Sequence, residues 1–198
     1  DYSDASGTLL LDVKNKAWSK QMMEICALRE EQMPALFDSY ECIGEILPEE
    51  AKSLGLPRHV KVAAGAGDNA AAAVGTGTIG EGTCNISLGT SGTVFIPAES
   101  FLADENNGLH SFAHADGNFN LLGCVLSAAS CNKWLMDKVF LADDYAEEQR
   151  QISIDDLGNN HVFFLPYLMG ERSPINDIKA RGTFTGITLK TERKNLTQ

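Results

Sequence analysis

Positive charge is scarce in this 198-residue chain: 16 Lys and Arg stand against 27 Asp and Glu, a formal net charge of −11. The excess is spread, with 12 acids and 7 bases in residues 1–76 and 15 acids and 9 bases in 77–198, so there is no acidic tail. A field of this sign repels phosphate backbones and argues against nucleic acid as a partner, although a few backbone N–H groups can still hold a nucleotide's phosphates locally. Long apolar runs are missing too. None approaches the roughly 18–20 residues that span a bilayer, so no membrane partner is expected. The five cysteines (Cys26, Cys42, Cys84, Cys124, Cys131) are odd in number and form no CxxC pair. That disfavours a disulfide framework and a structural zinc site, and it predicts buried thiols in a reduced, cytoplasmic setting. There is no internal repeat, no low-complexity tract and no GxxxxGK[ST] phosphate loop. The chain starts at Asp1 without an initiator Met or a basic-then-apolar leader, which suggests a portion of a longer polypeptide.

What is present is an ordinary globular composition, 43% hydrophobic and 22% charged. Residues 7–13 read as a short strand, and 18–28 as a helix with Trp18, Met22, Ile25 and Cys26 on one core-facing stripe. Pro34 breaks the next stretch, and a short helix is expected from Pro48 to near Gly55. Residues 60–64 read as a strand, 65–67 as a glycine turn, and 68–74, nearly all alanine, as a helix. Four glycines in residues 75–82 suggest a hinge. Beyond it, 83–88 and 93–97 form a hairpin pattern around Gly89-Thr90-Ser91-Gly92. A strand over 119–122, helices over 127–140 and 143–151, a strand over 162–165 and a loop-rich 170–186 complete the pass. Strands and helices mix on both sides of the hinge, so the class is α/β or α+β.

Four places could carry chemistry. In Ala64–Val74 (AGAGDNAAAAV) a strand, a glycine turn and a helix put Asp68 at the helix start. It either caps that helix or stands at a cleft as a general base for an attacking hydroxyl. Asn69 beside it can donate and accept hydrogen bonds, as a polyol ligand requires. The spacing Gly65-x-Gly67-x-x-Ala70 also imitates a dinucleotide fingerprint, but no second strand ending in a ribose-binding acid follows. Gly89-Thr90-Ser91-Gly92 is either an ordinary tight turn or a nest of N–H groups and hydroxyls for phosphate. His110, His114 and Asp116 have spacing compatible with a metal, but their flanks supply neither a helix nor a second cluster. Finally, Gly170-Glu171-Arg172-Ser173-Pro174 with Asp177 and Ala180-Arg181-Gly182 is either a solvated loop with weak ion pairs or the border of an active cleft.

Together these segments resemble the FGGY family of carbohydrate kinases. The resemblance runs through Asp4-Ala5-Ser6-Gly7-Thr8, Gly65-Ala66-Gly67-Asp68-Asn69-Ala70-Ala71 and Ser87-Leu88-Gly89-Thr90-Ser91-Gly92. It continues through Leu109-His110, His114 and Leu126-Ser127-Ala128-Ala129 to the Gly170–Gly182 motif, and so covers essentially the whole chain. It implies an α/β, actin-like (ribonuclease-H-like) ATPase fold, with parts of two domains flanking an ATP–sugar cleft. Residues 1–76 would be the C-terminal part of the first, sugar-binding domain, and 77–198 the N-terminal part of the second, nucleotide-binding domain. By the same resemblance Asp68 is the catalytic base and a substrate contact, Asn69 a substrate contact, and Gly89, Thr90, Ser91 and Gly92 the phosphate loop. ATP and Mg2+ are the implied cofactors, with no metal ligand assigned in this chain. Hinge closure over residues 75–82 would exclude water from the reaction. The expected reaction is ATP-dependent phosphorylation of a sugar hydroxyl, with D-xylulose giving its 5-phosphate. Another acceptor (gluconate, ribulose, glycerol), a non-catalytic actin-like ATP-binding module and a homodimer stay open. The family's N-terminal DxGT hairpin and C-terminal adenosine-binding glycine motif are absent, so the 198-residue chain alone is expected to be inactive.

Overall fold

The computed structural model describes residues 1–106, 108–173 and 175–198. Its helices are α1 Tyr2–Ala5, α2 Lys20–Ile25, α3 Pro48–Ser53, α4 Asp68–Gly75, α5 Ala129–Trp134, α6 Tyr145–Arg150 and α7 Arg193–Thr197. Its strands are β1 Leu11–Asp12, β2 Ala17–Trp18, β3 Cys42–Glu45, β4 Lys61–Ala63, β5 Asn85–Leu88, β6 Gly92–Ala98, β7 His110–Ala113, β8 Phe119–Val125, β9 Phe163–Leu165 and β10 Thr183–Thr185. Strands β1–β2, β3–β4 and β9–β10 form two-stranded sheets, and β5-β6-β8-β7 a four-stranded one. The chain divides into two compact units. One comprises Asp1–Asn85, Val94–Glu105 and Leu109–Leu122; the other comprises Ile86–Thr93, Asn106–Gly108 and Gly123–Gln198.

In the first unit, the core is built where α4 meets inward residues of β6 and β8. Ala70 and Ala73, three apart and so on one helix face, pack with Phe95, Ala115 and Leu122, flanked by Ala66 and Phe112. Alanine serves twice here: it favours the helix, and its small side chain lets the backbone come close. The helix ends in a Schellman cap. Gly77 lies at φ +74, its N–H donates to Val74 O (3.0 Å), and the Thr78 N–H donates to Ala73 O (2.8 Å). At least one glycine of the 75–82 run is therefore a helix stop. β7 and β8 pair antiparallel, with His110 opposite Leu122 and Phe112 opposite Asn120.

In the second unit, α5 continues into a π-helical turn over Leu135–Phe140, which buries Leu135 and Met136. Trp134 stacks on Phe164 (ring centroids 6.2 Å), and Phe164 stacks on Phe184 (4.4 Å). Phe164 and Phe184 are themselves register partners of β9 and β10.

Several local expectations need correction. The core stripe on α2 is displaced: Met23 is the buried residue, while Ile25 is 70% exposed and Cys26 is exposed. The helix is only six residues long, so one anchoring side chain replaces a stripe. Trp18 lies before it in β2, and its Nε1–H donates to Pro34 O (2.9 Å). The expected strand over 7–13 begins as a 3-10 turn over Ser6–Thr8 followed by Leu9 at φ 64, so only Leu11–Asp12 is extended. The thiols are not generally buried: Cys26, Cys42 and Cys84 are exposed, Cys124 is half-buried and Cys131 is buried. Among the described residues, no helix is long and apolar enough to cross a membrane.

Candidate active site

The Asp68 turn is held by hydrogen bonds from segments far apart in sequence. Gly65 sits at φ +83, a conformation that favours glycine. Its N–H donates to Ser39 O, and Ala64 N–H donates to Glu41 O, each at 3.0 Å. Two residues on, Gly67 N–H donates to Ser3 Oγ (2.9 Å). Ser3 Oγ in turn donates to Asp1 Oδ2 (2.6 Å), which also accepts from Ser3 N–H and from Ser39 Oγ, both at 2.8 Å. Ser3 is buried, and these bonds fix where the turn delivers the next residue.

That residue is Asp68, and it is not the helix cap. The N-cap of α4 is Gly67, with no side-chain capping bond, and Asp68 is the first residue of the first turn. Its carboxylate is exposed. Oδ1 accepts from Asn69 N–H (2.7 Å) and Asn69 Nδ2 (3.1 Å). Both bonds fall on one oxygen, so Asn69 orients the carboxylate, and among the described residues Oδ2 takes no hydrogen bond. Asp68 and Asn69 line one cavity of about 150 Å³ together with Asp4, Phe95, Phe112 and Asn120. The structure thus keeps the two expected residues together and adds Asn120, a buried polar residue with a 2% exposed side chain. The expectations for 119–122 overlooked it. The signal was a polar residue two before Leu122, on the inward face of a strand.

Gly89, Thr90, Ser91 and Gly92 fall in the second unit. There the tip between β5 and β6 is braced from behind by the start of α5. Thr90 O accepts from Ala128 N–H (3.0 Å) and Ser130 Oγ (2.8 Å), and Gly89 O accepts from Ala129 N–H (2.9 Å). A Cβ on Gly92 would come within 2.9 Å of Val125 Cγ2 and 3.1 Å of Ala128 Cβ, so close approach requires glycine there. Gly89, Thr90 and Ser91 are exposed. Carbonyls tied back on an exposed tip that carries two hydroxyl residues form an arrangement able to receive an anion.

The first part of the 170–182 segment departs from a solvated loop, while residues 175–179 and Arg181 are exposed. Glu171 and Ser173 are each 2% exposed, and Glu171 binds backbone in place of an arginine side chain. Its Oε1 accepts from Leu126 N–H (3.0 Å) and from Arg172 N–H (2.7 Å). Ser173 Oγ donates to Gly108 O (2.8 Å), and Pro174 of the motif lies outside the described residues. Glu171 therefore ties this segment to Leu126, two residues before the stretch that braces the Gly89–Gly92 tip. Nearby, burial pushes the Cys131 thiol up, Ser127 opposes the shift and the Glu171 charge adds to it.

The remaining candidates resolve structurally. His114 has a fully buried side chain. Its Nδ1 accepts from Ala115 N–H (2.8 Å), so Nε2 carries the proton and donates to Thr78 O (3.2 Å). This is a satisfied core histidine, packed edge-on to Phe95. His110 stacks on Phe112 at the start of β7. Among the described residues, no group of three or more His, Cys, Asp or Glu could hold a metal ion. The dinucleotide spacing at Gly65 leads nowhere, because β4 pairs antiparallel with β3, whereas that fingerprint belongs to a parallel βαβ unit.

Comparison with known proteins identifies the family. The model of the FGGY family of carbohydrate kinases, N-terminal domain, matches residues 1–75, and the C-terminal domain model matches 84–198. The chain is 43% identical to the xylulose kinase of Escherichia coli K12 over 95% of its own length and 39% of that protein's. A crystal structure described as a xyloylose kinase from Brucella ovis superposes with a TM-score of 0.92 at 39% identity, covering all of this chain and 41% of that one. A gluconate kinase from Lactobacillus acidophilus gives a TM-score of 0.84 at 27% identity, over 100% of this chain and 40% of that one. The chain spans about two fifths of the length of these proteins. The fold is accordingly the actin-like, ribonuclease-H-like one of these kinases, and the chain belongs to the FGGY family of carbohydrate kinases.

Proposed function

We propose that the protein containing this chain transfers the γ-phosphoryl group of ATP to a sugar hydroxyl, with D-xylulose the acceptor and D-xylulose 5-phosphate the product. The observation that carries this reading is the exposed Asp68 carboxylate, held by a glycine turn and oriented through Oδ1 by Asn69 at a cavity of about 150 Å³. In this reaction Asp68 Oδ2 takes the proton of the acceptor hydroxyl, the freed oxygen bonds to the γ-phosphorus, and the bond to the β–γ bridging oxygen breaks to release ADP. Phosphoryl transfer depends mainly on positioning and charge stabilisation, so an oriented base and a preformed anion loop are the parts expected. Asn69 would bind the sugar, and Gly89, Thr90, Ser91 and Gly92 the phosphates. Mg2+ enters as the counter-ion of ATP; the described residues offer no cluster to hold it. Residues 1–76 then belong to the sugar-binding domain and 77–198 to the nucleotide-binding domain, in a cytoplasmic enzyme.

D-xylulose is favoured because the 43% identical relative is described as a xylulose kinase and the 39% identical structure as a xyloylose kinase. Gluconate is the second reading, since a gluconate kinase shares the fold at a TM-score of 0.84. The test is Asp68→Asn in the full-length protein. Sugar-dependent ADP formation should fall by about 10²–10⁴-fold, with ATP affinity within about twofold of the parent as measured by calorimetry. Turnover near the parent rate would remove Asp68 from the role of base. Initial rates with xylulose, ribulose, gluconate and glycerol identify the acceptor.

A further inference from the structure

Asn120 occupies a position that the packing reserves for an apolar side chain. On β8 it alternates with Phe119 and Leu121 and shares the inward face with Leu122, a member of the core built around α4. Its side chain is 2% exposed, yet neither Oδ1 nor Nδ2 has a hydrogen-bond partner among the described residues. A buried carboxamide with all its bonds unmade is costly, and a leucine of similar size would carry no such cost. Asn120 lines the same cavity as Asp68 and Asn69, with both amide atoms buried at its wall. Phe95 and Phe112 supply apolar walls there, on which the C–H faces of a sugar could rest.

We propose that Asn120 is a substrate-binding residue whose carboxamide hydrogen-bonds a hydroxyl of the polyhydroxylated acceptor. This rests on the reading of Asp68 as the base at that cavity. A carboxamide is one acceptor and one two-hydrogen donor, and a hydroxyl is both donor and acceptor, so one sugar hydroxyl or a vicinal pair completes the inventory. Asp68 and Asn69 bind the reacting end, and Asn120 reads a hydroxyl away from it. Acceptors lacking that hydroxyl are rejected because the buried amide is then left unpaired.

The experiment uses the full-length protein and two variants, Asn120→Leu and Asn120→Ala, the second deleting the amide without adding a branched side chain. Equilibrium binding of xylulose, ribulose, gluconate and glycerol is measured by calorimetry, without turnover, alongside thermal unfolding and ATP affinity. The expected result is a loss of about 10- to 100-fold in affinity for the best acceptor and ATP affinity within about twofold. Asn120→Leu should unfold no lower than the parent. Among monodeoxy analogues of the acceptor, one should bind the parent more weakly by a similar factor and lose nothing further in the variants. Unchanged acceptor affinity in both variants, equal losses across all the deoxy analogues, or no binding of any of the four acceptors by the parent would each overturn the proposal. Its fate is separable from that of the base. Normal turnover in Asp68→Asn with weakened sugar binding in Asn120→Leu removes the base and keeps Asn120, and the opposite pair of results does the reverse.

Discussion

At the scale of single residues, Gly92 shows how one hydrogen atom can decide a site. A methyl group there would press on Val125 Cγ2 at 2.9 Å and Ala128 Cβ at 3.1 Å, and Ala128 has no rotamer with which to move aside. Gly92→Ala should therefore destabilise the folded chain by about 1–3 kcal/mol, the usual cost of overpacking, and weaken ATP binding by displacing the tip. Urea unfolding with a nucleotide titration checks both, and a variant with parent stability would show that the tip has slack. The sequence made Gly92 legible as part of a turn, since glycine with hydroxyl residues between two β-like runs is a local signal. It could not show that glycine is needed there for clearance, because Val125 and Ala128 are more than thirty residues away.

At the scale of elements, the α5–π turn–α6 segment carries a small charge cluster that gives it a dependence on pH. Asp137 accepts a hydrogen bond from the Tyr145 hydroxyl, and its Oδ2 pairs with Lys133 Nζ at 2.9 Å. The Tyr145 bond first, then the Lys133 bond, hold the Asp137 carboxyl below its usual range, with the charge of Lys138 helping. Asp137 in turn raises both Lys133 and Tyr145. A carboxylate with a lowered folded value stabilises above its unfolded pKa of about 3.9, and that contribution is lost as pH falls through the folded value. A raised lysine or tyrosine stabilises below its unfolded value, and its contribution fades as pH rises through the folded one, above about pH 10. Asp137→Asn should thus flatten both the acidic and the alkaline limb of thermal stability. Melting curves from about pH 3 to pH 11 measure it, and limbs identical to the parent's would assign the pH dependence elsewhere. The helical stretches over 127–140 and 143–151 were legible in the sequence, and Asp144 caps α6 by accepting from Ala146 N–H at 2.8 Å. The π-helical turn was not, because it depends on how Leu135 and Met136 are buried.

At the scale of the whole chain, the net charge of −11 is the widest-reaching property of the sequence. In the full-length protein both proposed substrates meet this chain's share of the field, but ATP is anionic and D-xylulose is neutral. Raising monovalent salt from about 10 mM to about 150 mM shortens the screening length from about 30 Å to about 8 Å. The ATP association rate should therefore rise with salt while xylulose affinity stays flat, as stopped-flow and calorimetry would show. An association rate that falls with salt would mean that positive charge around the loop or in the rest of the full-length protein outweighs this chain's field.

The order of the motifs, the alanine helix behind a glycine turn, Asp68 at its head and the Gly89–Gly92 tip were all written in the sequence. Each depends on neighbours within a few residues: backbone freedom at glycine, helix propensity at alanine, a turn between two β-like runs. Tertiary structure alone decided that Gly67, and not Asp68, caps α4. It decided that Ser3 and Ser39 hold the turn through Asp1, and that Glu171 is buried against Leu126 N–H. It decided, too, that Asn120 faces the Asp68 cavity with its amide unpaired among the described residues. Burial and hydrogen-bond pairing of this kind join residues tens of positions apart, and local pattern carries no record of distances that only packing creates.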